Sequence, residues 1–320
     1  MNSLRAALLE AVLAVTPAAM LGHMALAAGG DVVSDVRAAS DARNFALAER
    51  EIQSYRSTVG VTPEMLEALS WLARGTLDDK QYDRADKYAL ETRKLSLELL
   101  NRAGKGDAPL ITALGAAIEV HAQVLAARGQ RAEAVTYLKA ELATWVGSPI
   151  AARIQKNINL LSLEGKPAPA LDVAHWLGAQ PSSLAALKGH PVLLFFWAHW
   201  CGDCKAEVPI LARLMEAYGS KGLVLVGPTQ VYGYTAAGDA TPEMETVYID
   251  RVRQQFYAPL RSMTVPVGTE NFQKYGCSTT PTLVLVDGAG IVRMYHPGAM
   301  TYEALADQVR QFLGAHGAHS

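Results

Sequence analysis

Seven apolar residues in a row, Val192 to Ala198, run through His199 and Trp200 into two cysteines three positions apart, Cys201 and Cys204. A continuous run of aromatic and branched side chains is the pattern of a central strand buried on both faces. Residues from about Gly202 to Tyr218 then read as a helix, which places Cys201 at a helix start. There its sulfur meets unpaired N–H groups and the positive end of the helix dipole. Both favour the thiolate, the form of cysteine that attacks. Cys204, one turn on, points toward the first sulfur and the sheet and is the less accessible of the two. The expected chemistry is thiol–disulfide exchange, with Cys201 attacking a partner's disulfide and Cys204 resolving the mixed disulfide.

Metal binding and a disulfide scaffold fit the sequence less well. The chain has three cysteines in 320 residues, whereas a small disulfide-stapled domain needs more cysteines in a shorter chain. A structural zinc site needs four ligands, and no second Cys or His pair at suitable spacing is present outside the loose histidines of the tail. No metal and no cofactor is expected.

The period of the sequence changes midway. Residues 31–163 are rich in helix formers and lack strand-like alternation, with breaks at Gly60, Gly75, Gly104-Lys105-Gly106, Gly129 and Gly147-Ser148-Pro149. Thr62-Pro63-Glu64 reads as a helix start, with Thr62 as cap. Leu72-Ala73-Arg74-Gly75 with Tyr82-Asp83-Arg84-Ala85 is echoed by Leu125-Ala126-Ala127-Arg128-Gly129 with Arg131-Ala132-Glu133-Ala134. The echo is weakly tetratricopeptide-like, but the copies are too far apart for a regular array. A degenerate helical-hairpin domain is expected here, serving packing, dimerisation or a protein partner.

Residues 164–170 read as a linker, since Pro167 and Pro169 stop the preceding helix. Residues 171–314 then alternate: strand Val192–Ala198, helix, strand Leu223–Val226, helix Glu243–Tyr257, strands Thr282–Val286 and Ile291–Tyr295 about a turn at Asp287-Gly288, and helix Tyr302–Leu313. That order predicts a mixed central sheet with helices on both faces. The expected fold class is an α/β thioredoxin-like fold preceded by an all-α helical-hairpin domain, with residues 315–320 as a tail.

The stretch from about Gly165 to Gly314 resembles the thioredoxin superfamily, and within it the TlpA/ResA-like branch. The resemblance rests on Gly165-Lys166-Pro167-Ala168-Pro169, Leu187-Lys188-Gly189, Phe195 to Cys201, Cys204-Lys205-Ala206-Glu207-Val208-Pro209 and Thr279-Thr280-Pro281-Thr282. It implies an extracytoplasmic reductase or redox partner acting on protein thiols and disulfides, fed by an upstream electron donor. It also implies that Pro281 is a cis-proline beside the cysteines, with Thr280 and Trp200 against the substrate peptide. By itself, Pro281 would read as a trans proline at a strand start. Glu207, three residues past Cys204, shares its helix face; the resemblance implies a buried proton carrier for Cys204, and the alternative is a solvated helix glutamate. Thioredoxins place an aspartate where this chain has Phe195.

Several residues stay open. Asp203 stands where the family usually has proline; it suits the dipole yet opposes a neighbouring thiolate, so the redox potential is not assigned. His199 tunes that thiolate if charged, or is an exposed loop histidine. Cys277 is a regulatory thiol or, more commonly, a buried structural one. Tyr232-Gly233-Tyr234, in the long loop Gly227–Pro242, is a peptide-facing lip or ordinary loop packing. Pro209 should kink its helix.

Residues 1–30 read as a signal peptide, or as a mobile amino terminus. Arg5, the apolar run Ala11–Leu21 and Ala25-Leu26-Ala27 favour the first; Glu10 and Pro17 weaken it. The run is too short for a stable membrane span. A periplasmic or other extracytoplasmic location follows from the signal-peptide reading, a cytoplasmic one from its alternative. The formal net charge of −2 gives no nucleic-acid footprint.

Two other functions compete with exchange. A redox-controlled adaptor would bind partners through the helical half. A peroxiredoxin-type peroxidase would need Thr or Ser three residues before the cysteine and proline a further four back, where this chain has Ala198 and Leu194.

Overall fold

The computed structural model describes residues 31–103 and 107–313. The signal-peptide reading, the Gly104–Gly106 break and the 315–320 tail lie outside the described residues.

The helical half contains α1 (Val32–Asp41), α2 (Phe45–Thr58), α3 (Pro63–Asp78), α4 (Tyr82–Ala103), α5 (Ala108–Ala127), α6 (Arg131–Trp145) and α7 (Ala151–Ser162). The expected start at Thr62 is present: its hydroxyl accepts the Met65 N–H at 3.3 Å. α5 is long and apolar enough to cross a membrane by length and composition. Here it is a core helix, with Leu110, Leu114, Ile118, Val120 and Val124 packed into one cluster with α1, α3 and α4. A helix apolar on all sides is what such a central position requires.

The two look-alike stretches fall on the turns joining α3 to α4 and α5 to α6. In each, three N–H groups close the helix end in the same pattern, Asp79 to Gly75, Lys80 to Leu77 and Gln81 to Thr76, against Arg128 to Val124, Gly129 to Ala126 and Gln130 to Leu125. The α1–α2 turn repeats the pattern about Arg43. The middle residue is left-handed in all three (φ 55°, 60° and 83° at Arg43, Lys80 and Gly129). Gly75, expected as a break, lies inside α3. A Cβ there would meet Ser40 Cβ at 3.0 Å and Phe45 Cε1 at 3.2 Å, so its smallness serves close helix packing.

The second half contains β1 (Trp176–Leu177), β2 (Val192–Phe196), α8 (Gly202–Tyr218), β3 (Val224–Val226), β4 (Tyr234–Thr235), β5 (Gly238–Asp239), α9 (Pro242–Phe256), β6 (Val265–Pro266), α10 (Thr269–Tyr275), β7 (Thr282–Val286), β8 (Val292–Pro297) and α11 (Tyr302–Leu313). The main sheet has the order β3-β2-β7-β8. β2 runs parallel to β3 and antiparallel to β7, and β7 is antiparallel to β8. This is the expected thioredoxin-like mixed sheet.

All five residues of β2 are buried. Leu193 and Phe195 face a cluster with α8, α9 and α11; Val192, Leu194 and Phe196 face Phe272 and Tyr275 of α10. The expected strand to Ala198 stops at Phe196, where the chain turns and the Trp197 N–H bonds the Pro228 carbonyl. The expected two-residue turn at Asp287-Gly288 is longer, closed by Asp287 on the Ile291 carbonyl, with Gly290 left-handed. Pro209 lies within a continuous α8.

Two connections tie the halves together. Residues 164–170 lie along the start of β8: Gly165 N–H bonds the Val292 carbonyl, Val292 N–H bonds that of Lys166, and Ala168 N–H bonds that of Gly290. α7 packs on α10, where Asn159 Nδ2 donates to the Lys274 carbonyl at 3.4 Å. Leu163, just past α7, belongs to the same core cluster as Phe196 and Tyr275.

Candidate active site

β2 delivers the chain to the sheet edge, and α8 begins two residues after Trp200. Cys201 is the N-cap residue of α8, and its Sγ accepts the Cys204 N–H at 3.0 Å. That hydrogen bond and the helix dipole are the two stabilisers of a Cys201 thiolate. The structure holds Cys201 and Cys204 as a disulfide with a Cα–Cα distance of 5.3 Å. Both residues are buried, Cys204 completely.

From the other side, the segment before β7 meets the pair. The Thr280–Pro281 peptide is cis, and the Thr280 carbonyl oxygen lies 3.5 Å from Cys201 Sγ. The Thr280 hydroxyl is buried and has no hydrogen-bond partner among the described residues. Trp200 is 49% exposed, and its ring meets Tyr232 edge-on at 5.6 Å. The structure thus brings Trp200, Cys201, Cys204, Thr280 and Pro281 to one place.

Glu207 is 1% exposed. Burial raises its carboxyl above the ordinary range, and Asp203 adds to the rise, while a hydrogen bond from the Met300 N–H at 3.2 Å opposes it. It is not a solvated helix glutamate. Asp203 itself is exposed in the first turn of α8.

His199 is not an exposed loop residue. It is 2% exposed, ringed edge-on by Tyr232, Tyr234 and Tyr248, with Nε2 3.0 Å from Glu245 Oε1. Burial lowers its pKa, outweighing the pull of Glu245, so the imidazole favours its neutral form. Cys277 packs on the other face of the sheet with Phe196 and Tyr275, and burial pushes its thiol well up. It is a structural thiol.

Sequence reasoning missed Glu245. It lies in a helix among other acidic residues, and nothing in the local pattern separates it from a solvated one. Its signal is three-dimensional: it is 0% exposed, lies beside His199 Nε2 and accepts from Tyr232 N–H and Gly233 N–H. Among the described residues, no three His, Cys, Asp or Glu are grouped to hold a metal ion.

Residues 165–230 match the model of the AhpC/TSA family. The chain is 26% identical over 149 residues to the thioredoxin-like protein YneN of Bacillus subtilis (strain 168), covering 46% of this chain and 78% of that one. It is 28% identical over 154 residues to the thiol:disulfide interchange protein DsbE of Xylella fastidiosa (strain 9a5c), covering 48% and 70%. It is 29% identical over 147 residues to the thiol-disulfide oxidoreductase ResA of Bacillus thuringiensis subsp. konkukian (strain 97-27), covering 46% and 77%. Two of these relatives are named for thiol–disulfide interchange or oxidoreduction, and the third as thioredoxin-like.

Proposed function

We propose that the carboxyl-terminal half is a TlpA/ResA-like thiol–disulfide oxidoreductase domain and that the chain reduces disulfides of protein substrates outside the cytoplasm. The observation that carries the proposal is the Cys201 sulfur at the start of α8, receiving the Cys204 N–H with the Thr280 carbonyl 3.5 Å away.

In the reduced pair, the Cys201 thiolate attacks one sulfur of the substrate disulfide. The other substrate sulfur leaves as a thiolate and takes up a proton. Cys204 then gives up its proton and attacks Cys201, which releases the second substrate thiol and leaves the Cys201–Cys204 disulfide. Two electrons pass to the substrate, and a dithiol donor restores the pair. The substrate backbone lies against Thr280, which the fused ring of Pro281 keeps open on one side, and Trp200 covers it.

The surroundings of Cys201 support the reducing direction. Strong oxidants have a stabilised reduced form. Here Asp203 opposes a thiolate, and burial favours the neutral form of His199, which then adds no positive charge to that of the helix start. The name of the relative DsbE supports interchange as the activity. An extracytoplasmic site agrees with the signal-peptide reading of residues 1–30. Dithiothreitol-driven reduction of insulin by the full chain tests the proposal. Turnover well above the dithiothreitol background supports it, and background turnover refutes it.

Glu207 acts in this scheme as the proton acceptor for Cys204. Glu207→Gln should slow resolution about a hundredfold, the low end of general-base effects, read as accumulation of mixed disulfide in stopped-flow. Its raised carboxyl also has a stability signature. In the folded state the group holds its proton to a higher pH than in the unfolded chain. Its contribution is therefore complete below the unfolded carboxyl's pKa and is lost as pH rises through the folded one. Relative to wild type, Glu207→Gln should gain stability across that window, checked by urea unfolding at several pH values.

A further inference from the structure

Glu245 is buried and far along the chain from the cysteines, and the exchange scheme above gives it nothing to do. Both of its oxygens are occupied. Oε1 accepts the Tyr232 N–H at 2.7 Å and faces His199 Nε2 at 3.0 Å; Oε2 accepts the Gly233 N–H at 2.7 Å. Two backbone N–H groups thus donate to the carboxyl group, and the His199 ring nitrogen closes the set.

The three partners come from two segments that meet at the reactive sulfur. His199 is two residues before Cys201, while Tyr232 and Gly233 lie in the Gly227–Ala240 loop, whose Gly233 is left-handed at φ +88°. That loop is sewn to the cysteine segment at its base as well: Trp197 Nε1 donates to the Gly227 carbonyl and the Thr229 hydroxyl to the Trp197 carbonyl, both at 2.9 Å. Beyond Gly233 no such backbone tie to the cysteine segment exists among the described residues, and the ribbon of β4 and β5 projects from there. Glu245 is therefore the last fastening of the loop. On the substrate side, the loop presents Tyr232 against Trp200 and Tyr234, 39% exposed, against His199.

We propose that Glu245 is a positioning residue for disulfide exchange: its carboxyl group fastens the Tyr232–Tyr234 lip to His199, and so holds the wall of the groove that seats a protein disulfide over Cys201. This rests on the exchange activity proposed above. A protein disulfide arrives with flanking peptide that must fit between Thr280 and the Trp200–Tyr232 wall. A small disulfide needs only the sulfur.

Glu245→Gln tests this in the full chain, because it keeps the shape but turns an amide NH₂ toward donors that need an acceptor. Reduction of insulin is compared with that of 2-hydroxyethyl disulfide. The expected result is a fall in kcat/KM for insulin of about tenfold, carried mainly by KM, against less than about threefold for the small disulfide. Gly233→Ala is the second variant; no atom lies within 4 Å of the added Cβ, so it disturbs only the left-handed turn. It should move the same ratio in the same direction, and it decides the matter if Glu245→Gln does not fold. Equal losses on both substrates, or no loss on insulin, overturn the positioning role. Wild-type chain inactive on both substrates overturns instead the exchange reading on which it stands.

Discussion

Replacing Cys204 by serine should turn the chain from a turnover catalyst into a trap. Cys201 keeps its place at the start of α8, so it still attacks. Serine has no thiolate to expel the substrate, and the mixed disulfide persists. Incubating reduced Cys204→Ser with insulin should give a covalent adduct on a non-reducing gel, dispersed by dithiothreitol. Cys201→Ser should give neither adduct nor turnover, a loss of about a thousandfold or more, as expected when the nucleophile is removed. Cys277 offers no substitute, because it is buried on the opposite face of β2 with its thiol held protonated. An adduct in Cys201→Ser would mean that the attacking sulfur is misassigned.

The largest stability effect is expected at Gly276, in the joint between the halves. It caps α10 in the left-handed region at φ +61°. A Cβ there would come within 2.6 Å of Gln155 C and 2.7 Å of Lys156 Cα, with Lys156 N closer still. These are backbone atoms of α7, which cannot rotate out of the way. Left-handed geometry costs about 1–2 kcal/mol for a residue with a Cβ, and forced overpacking about 1–3 kcal/mol more. Gly276→Ala should therefore lose about 2–5 kcal/mol in urea unfolding. Gly165, left-handed at φ +78° with open space around it, is the control; Gly165→Ala should show the conformational part alone. Equal losses would mean that α7 does not seat on the α10 turn.

What the sequence made legible was what local pattern encodes. The apolar run of β2, the cysteine spacing and the helix after it sit next to one another in the chain, and each has a direct cause in burial or helix geometry. Pro281 needed more: only the surrounding Thr279–Thr282 motif singled it out. The pairs β1–β6 and β4–β5 have two residues per strand, too short for any alternation to register. Turns at Arg43 and Lys80 escaped because residues with a Cβ occupy the left-handed position where glycine is the usual mark. His199 stays open between a tuning group and loop surface in the sequence because its cover of three tyrosines comes from residues 232, 234 and 248. Glu245 was invisible for the same reason, its three partners being set by the folded loop. Local sequence located the sulfurs, while the wall around them depended on contacts between distant segments.

Cys201 and Cys204 should behave as a reducing couple, and their reduction potential decides whether they do. The full chain is equilibrated in graded dithiothreitol buffers, and the dithiol fraction is read by thiol alkylation. A reversible two-electron transition near the thioredoxin value, about −270 mV, is expected. A transition near about −120 mV, the range of a strong oxidant, would contradict it, as would a pair that does not equilibrate at all.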